Sequence, residues 1–459
     1  MHDPKVAALE FAHQNRQRFL SELRKFLTIP SISTEPERKD DILKAAEWLK
    51  MHLLALGLQN VQIMPTEGHP VVFAESNTAG VEAPTVLIYS HYDVQPPDPL
   101  DLWQNDPFSP EIRADNLYAR GASDMKGQVL ASIFAVESIL RTSQLPINLK
   151  YLVEGEEEIG SPNLPSFISA NKTLLKSDFA LNPDTGMISA DLPTITYALR
   201  GLAYFEIYVY GPDHDLHSGT FGGAVHNPAQ ALCELIAGMH DENGRVTLPG
   251  FYDKVRDLDE NERQELARLP MDEGFYLAQT GAPTLWGESG YAPVERTGAR
   301  PTLEVNGLYS GFIGEGSKTV LPARAMAKIS TRLVPDQGPD EVYEQLQKYL
   351  KANAPTTIRY DVTKLTGGPA SISDLDSHAV KSMLKALSDI WGKQPLLKRE
   401  GGSVPVVAQF QQLLNIESVN CGFSLQDDNA HSPNEKLHLP TWYRGIDTYI
   451  NFFFNLVNN

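Results

Sequence analysis

Cysteine is nearly absent: Cys233 and Cys421 are the only two in 459 residues. They lie far apart in apolar contexts, too few for a disulfide framework or a thiolate metal site, so both read as small core residues. No run of about eighteen apolar residues occurs, which leaves no helix to span a membrane. The N-terminus lacks a cationic segment followed by an apolar core, so the expected location is the cytoplasm. Positive charge is also scarce. Lys plus Arg number 39 against 58 Asp plus Glu, a net charge of −19. That balance argues against a nucleic-acid or anionic-membrane partner, and it suits a site that concentrates divalent cations. Internal repeats and low-complexity tracts are missing as well.

What is present is an alternation of helix-like and strand-like runs. Helical spacing of apolar residues predicts a helix across residues 9–27 and another over 40–56, stopped by Gly57. Strand-like runs follow at 61–64, 71–74, 85–90, 147–153 and 178–181, with a helix ending near Leu140. Strands alternating with helices predict an α/β sheet, whose sites form beyond the carboxyl ends of the strands. From about residue 196 the order becomes strand, helix, strand, strand, helix, strand. A polar, Pro/Gly-rich irregular stretch at 250–300 interrupts it. That order resembles a ferredoxin-like α+β unit. After residue 362 the first pattern returns, with helices at 377–390 and 404–414, a strand at 416–421 and a helix from Pro440. The predicted architecture is α/β: a mixed, mostly parallel sheet flanked by helices, built from residues 1–195 and 362–459. A ferredoxin-like α+β domain at 196–361 is inserted into it.

Acids and imidazoles collect where the strands end. Asp124 sits between Gly121 and Gly127, just before an apolar helical run, and alone it would be a helix cap. Its company makes it a candidate bridge between two cations, since a carboxylate can offer one oxygen to each. His91 and Asp93 end one predicted strand and lie on the same side of it, suited to a metal ligand and an acid that orients it. Glu157 and Glu158 end another, in a run of three acids. Adjacent carboxylates point different ways, so one can ligate while the other acts as general base. Asp184 follows a third strand and His431 a fourth. Imidazole and carboxylate donors without thiolate suit zinc or manganese better than calcium.

These residues lie in stretches that together resemble a known family. They are Ser90-His91-Tyr92-Asp93-Val94-Gln95-Pro96, Gly121-Ala122-Ser123-Asp124-Met125-Lys126-Gly127 and Glu154-Gly155-Glu156-Glu157-Glu158-Ile159-Gly160-Ser161. Further on come Asp215-Leu216-His217-Ser218-Gly219, Arg332-Leu333-Val334-Pro335, Arg399-Glu400-Gly401-Gly402-Ser403-Val404-Pro405 and Ala430-His431-Ser432-Pro433-Asn434-Glu435. The set resembles the dinuclear metallopeptidases that include aminoacylase, carboxypeptidase G, acetylornithine deacetylase and succinyl-diaminopimelate desuccinylase. It is most similar to the carnosinase or cytosolic non-specific dipeptidase branch.

The resemblance implies two divalent cations per subunit, zinc with manganese or cobalt as alternatives, bridged by Asp124. It implies that His91 and Asp184 complete one site, and Glu158 and His431 the other. Asp93 becomes the orienting acid, Glu157 the general base, and His217 an oxyanion donor reaching the partner subunit's site. Arg332, Ser403, Gly402 and Thr319 would hold the substrate's carboxylate and backbone. The inserted domain would serve as lid and dimerisation domain of a homodimer. The setting of Asp184, Asn182-Pro183-Asp184-Thr185, departs from the dipeptidase branch and leaves substrate choice open. The expected activity is hydrolysis of dipeptides with a free C-terminal carboxylate by a hydroxide shared between the cations. An N-acyl-amino-acid deacylase or carboxypeptidase is the alternative within the family. A binding protein that kept the fold and lost catalysis is the alternative of another class, and no expected catalytic residue is missing to favour it.

Overall fold

The apolar run at 85–90 becomes the strand Thr85–His91, at the centre of a large mixed sheet, in a computed structural model that describes residues 3–402 and 404–457. Across that sheet the strands run Gln59–Met64, Val71–Ser76, Asn148–Glu154, Thr85–His91, Phe179–Asn182, Ser418–Asn420 and Thr194–Leu199. The four from Asn148–Glu154 to Ser418–Asn420 pair in parallel. The strands outside them pair antiparallel. Every residue of Asn148–Glu154 is buried, as a strand covered on both faces requires.

The helix Lys126–Leu140 is buried almost throughout, which explains why its apolar residues run round the whole helix instead of forming a stripe. Helices Pro4–Gln14 and Leu439–Asn455 pack against it. Phe134 stacks on Phe19 at 4.1 Å between ring centroids, and the Trp442 indole donates to Gly127 O at 2.8 Å. Burying side chains of this size contributes on the order of 2–3 kcal/mol each. The single helix expected at 9–27 is two, Pro4–Gln14 and Arg16–Leu27. They break at Asn15, whose side chain donates to Phe11 O at 2.9 Å and accepts from Arg18 Nε at 3.1 Å. An asparagine that bonds locally in this way competes with the helix.

Contacts divide the chain into two units. One comprises Met1–Tyr197, Ser373–Leu397 and Gln409–Asn459, the other Ala198–Ile372 and Lys398–Ala408. In the second, an antiparallel sheet runs Thr302–Ser310, Arg324–Leu333, Gly201–Tyr210, Arg359–Gly368. Taken in chain order that is second, third, first, fourth, the ferredoxin-like arrangement. Alternation along Gly201–Tyr210 sends Ala203, Phe205, Ile207 and Val209 into a core shared with helices Pro228–Ala237 and Pro339–Asn353.

Three local expectations change. The stretch at 250–300 contains the helices Glu260–Ala267, Glu273–Thr280 and Pro293–Gly298. Asp259 and Asp272 cap the first two, but Leu266 alone is buried in the first and nothing in the second, so no apolar stripe betrays them. The stretch Lys398–Ala408, which the sequence pattern groups with the first unit, packs in the second. There Arg399 Nε donates to Glu262 at 2.7 Å and Arg200 Nε donates to Gly401 O at 3.2 Å. Cys233 is exposed, not in the core, because it falls between the buried Leu232 and Leu235 on an amphipathic helix; Cys421 is buried. Among the described residues no helix is long and apolar enough to cross a membrane.

Candidate metal centre

The parallel strands bring their carboxyl ends to one edge of the sheet. His91 ends Thr85–His91, Asp184 lies two residues past Phe179–Asn182, and Glu157 and Glu158 form a 3-10 turn three residues past Asn148–Glu154. Asp124 stands two residues before the helix Lys126–Leu140, reached through Gly121. Gly121 has a φ of +80°, and a Cβ there would lie 2.6 Å from Val94, so this turn requires glycine. His431 itself adopts a φ of +60°, between Asn429 and Asn434, which are also left-handed. Such residues cost on the order of 1–3 kcal/mol each and persist only where the surroundings hold them. Asn434 supplies part of that hold: it accepts from Gln104 N and donates to Leu102 O, both at 2.8 Å.

The side chains converge on Asp124. Its Oδ1 lies 3.2 Å from His91 Nε2 and its Oδ2 lies 2.8 Å from His431 Nε2. Ligand atoms of His91, Asp124 and Asp184 all fall within 4.8 Å of one another, and so do those of Asp124, Glu158 and His431. Asp124 belongs to both groups and turns a different oxygen to each histidine.

Two residues orient these groups from behind. Asp93 is fully buried. Its main-chain oxygen lies 3.1 Å from His91 Nδ1, which leaves Nε2 to face the centre. Its carboxylate accepts from the amides of Glu157 at 3.2 Å and Glu158 at 3.1 Å, a second duty that sequence reasoning missed. Gln95 lies in one of the stretches that carry the resemblance, but sequence reasoning gave it no role. Its Nε2 donates to Glu158 Oε2 at 2.8 Å and to Glu158 O at 3.2 Å. Its place in the stretch Ser90-His91-Tyr92-Asp93-Val94-Gln95-Pro96, two residues past Asp93, was the signal that could have marked it.

Charge crowding shifts the acids and histidines. Burial pushes Asp184 up to about 7, reinforced by the carboxylates of Asp124 and Glu158 and opposed by His91. Burial likewise drives Glu157 well above the carboxylate range, with Asp184, Glu158 and Asp124 adding to it. Hydrogen bonds to Asp124 and Glu158 raise His431 to about 10. Burial would lower His91, but Asp124 and Asp93 outweigh it and raise the ring well above its usual value. Asp124 is held well below the carboxylate range by the two histidines, against the effect of burial. Burial and mutual repulsion thus favour the protonated forms of Asp184 and Glu157, and a cation bound among these acids would favour their charged forms instead.

The donor set fits divalent cations. Glu158 Oε1 is buried with no hydrogen-bond partner among the described residues, although the other oxygen of that carboxylate is bonded. A buried carboxylate oxygen left unpaired costs free energy. The same carboxylate turns its Oε2 to His431 Nε2 at 3.1 Å, so Glu158 stands where a cation in the Asp124–Glu158–His431 group would engage it.

The remaining candidates lie in the second unit. His217 is exposed, on a two-stranded ribbon with Val320–Leu321, and its Nε2 is 3.5 Å from the Thr319 hydroxyl. Its Nδ1 accepts from Gly219 N at 3.1 Å, so the neutral ring carries its proton on Nε2. Arg332 lies near the end of Arg324–Leu333. The buried Arg200 guanidinium is lowered to about 10, first by burial and then by the Arg332 charge. Gly402 is exposed, its amide 3.5 Å from Glu400 Oε1. Ser403 lies outside the described residues.

A family model described as peptidase family M20/M25/M40 matches residues 87–455. A Cys-Gly metallodipeptidase of Candida albicans is 30% identical over 462 residues, covering 95% of each chain. The human Beta-Ala-His dipeptidase is 32% identical, covering 84% of this chain and 77% of its own. Among solved structures, an M20 family metallo-carboxypeptidase from Sulfolobus solfataricus has a TM-score of 0.82 at 36% identity, covering 95% of this chain and 98% of its own.

Proposed function

The chain belongs to peptidase family M20/M25/M40, and from that premise we propose that it hydrolyses the amide bond of dipeptides with a free C-terminal carboxylate. One observation carries the reading: Asp124 turns one oxygen to each of two His–carboxylate groups. His91 and Asp184 would hold one cation with Asp124, and Glu158 and His431 the other; zinc is the proposed ion, replaceable by manganese or cobalt. When bound, the cations would polarise the scissile carbonyl and lower the pKa of a shared water toward neutrality.

The residues then divide the work. Glu157 belongs to neither ligand group, and it takes the proton from the attacking water and delivers it to the leaving amine. Asp93 holds Glu157 and Glu158 in register through their amides. Arg332 binds the substrate's carboxylate, with Gly402, Ser403 and Thr319 on its backbone. His217 offers Nε2–H to the developing oxyanion. The inserted unit is proposed as lid and dimerisation domain of a homodimer, with His217 serving the partner's site.

The test is a panel of free and C-terminally amidated dipeptides with the metal-reconstituted protein. Amidated dipeptides are expected to be poor substrates. Arg332→Lys is expected to lose roughly 10–100-fold in kcat/KM, because an ammonium cannot reproduce the two-pronged bond. Equal rates on free and amidated forms would point instead to an aminopeptidase. The 36%-identical metallo-carboxypeptidase favours a second reading, cleavage of the last residue from longer peptides. Tripeptides and longer chains in the same panel separate the two.

Cation uptake is expected to depend on pH. A His431 raised to about 10 keeps its proton throughout neutral pH, and that proton must leave before the ring can ligate. Uptake at pH 7 should therefore release protons, and apparent affinity should rise toward pH 10, about tenfold per unit for each proton displaced. Calorimetry in buffers of different ionisation enthalpy measures the release. Uptake at pH 7 with no proton released argues against His431 as a ligand.

The cross-subunit role of His217 is tested by mixing. His217→Ala alone should cost roughly 10²–10³ in kcat with metal content unchanged. His217→Ala and Asp124→Ala chains, each inactive, should regain about a quarter of normal activity after subunit exchange, since about half the dimers are mixed and each has one complete site. No recovery after demonstrated exchange places His217 outside the partner's site.

A further inference from the structure

Four residues past His431, the Glu435 side chain is fully buried. Its Oε1 accepts from Ser123 N at 2.9 Å and Asp124 N at 3.0 Å. Its Oε2 accepts from Gly121 N at 2.9 Å and from Arg120 Nη1 at 2.7 Å. Its main-chain oxygen accepts from Ala119 N at 3.1 Å. Three of the four donors to the carboxylate are amides of the loop that carries Asp124. They belong to no helix or strand ladder, so without Glu435 they would be buried donors with nothing to bond.

The same cluster reaches the other ligands. Arg120 also donates through Nη2 to Pro96 O at 3.1 Å, and Pro96 adjoins Gln95, which holds Glu158. On the far side of the loop, Ser123 Oγ donates to Asp428 Oδ2 at 2.8 Å, which also accepts from Leu425 N at 2.7 Å. The Asp124 loop is therefore tied at both ends to the segment that carries His431. A bridging carboxylate must satisfy two groups at once, which a loop free to shift could not do.

We infer that Glu435 is a positioning residue for the cation centre: by accepting the amides of Gly121, Ser123 and Asp124 together with Arg120, it fixes the Asp124 carboxylate relative to His431. The inference rests on the proposed reading of Asp124 as a ligand shared by two cations. Glutamine at this place would set an –NH2 against amide donors and remove the charge facing Arg120. Groups that orient ligands in this way typically govern metal affinity by about 10–100-fold.

The test titrates the metal-free full-length protein with cobalt(II), following its visible absorption, and measures zinc affinity by competition with a chelating dye. Wild type, Glu435→Gln, Asp124→Asn and Asp447→Asn are compared. Asp447 is a buried carboxylate paired with His13 at 2.9 Å, and its variant controls for loss of a buried charge away from the Asp124 loop. Glu435→Gln should lose about 10–100-fold in affinity for at least one cation and change the cobalt spectrum, while Asp447→Asn keeps both. Two cobalt ions bound by Glu435→Gln with wild-type affinity and spectrum would overturn the inference and leave the cation reading standing. Two ions bound by Asp124→Asn as in wild type would overturn that reading, and the inference with it. If Glu435→Gln yields no folded protein, Glu435→Asp replaces it: the charge stays, but a side chain one methylene shorter cannot reach all four donors. An affinity loss of about tenfold or more supports the inference, and an unchanged affinity overturns it.

Discussion

Glu157→Gln is expected to lower kcat by about 10²–10⁴ while both cations remain bound. Glutamine keeps the shape of the side chain and cannot take a proton. The Glu157 side chain belongs to neither ligand group, and the Asp93 contact is to the Glu157 amide, so the turn should survive the change. Burial and three neighbouring carboxylates raise Glu157 well above the usual range. Cations bound beside it would pull it back toward neutrality, where a group that both accepts and returns a proton works best. The acidic limb of the kcat/KM profile should therefore move or vanish in the variant. Metal analysis alongside steady-state kinetics decides the matter. A variant with both cations and a rate within tenfold of wild type would show that another group takes the proton. Cation loss in Glu157→Gln together with retention in Glu158→Gln would mean that the two acids have exchanged roles.

Asp124→Ala is expected to abolish activity and to weaken both cations at once. Asp124 is common to the two ligand groups, so its loss leaves each with two donors. It also leaves His91 and His431 without the oxygens that face them at 3.2 and 2.8 Å. Asp184→Asn provides the contrast. Asp184 belongs to one group only, so that variant should retain the cation held by Glu158 and His431. Stoichiometry by elemental analysis after dialysis should read close to zero for the first variant and close to one for the second. Independent loss, with Asp124→Ala keeping one cation at full affinity, would mean that Asp124 is not shared.

The alternation of strands and helices was legible because it is written in local periodicity. The fully apolar strand at 85–90, the ferredoxin-like order of the inserted unit and the chemical type of the side chains at the strand ends could all be read along the chain. The sequence pattern that resembles a dinuclear peptidase family lies in short stretches kept in order, and residues 87–455 match that family's model. The short helices between 259 and 281 could not be read, since polar helices with capping acids bury almost nothing. The membership of Lys398–Ala408 could not be read either. The hydrogen bonds of that stretch to the rest of the second unit include those to Arg200 and Glu262, 201 and 137 residues away in sequence from their partners.

The candidate site divides in the same way. Composition and motif order determined which residues could ligate: imidazoles and carboxylates, with no thiolate in reach. Tertiary structure decided which oxygen of Asp124 faces which histidine, that Asp93 holds the Glu157–Glu158 turn, and that Gln95 leaves one oxygen of Glu158 unpaired. It also decided that Glu435, 311 residues from Asp124, supplies the acceptor for that residue's amide. Side-chain periodicity reports only whether a residue faces core or solvent over a few turns. A hydrogen bond between loops more than three hundred residues apart leaves no periodic trace, because both partners are single polar residues in segments with no repeating pattern.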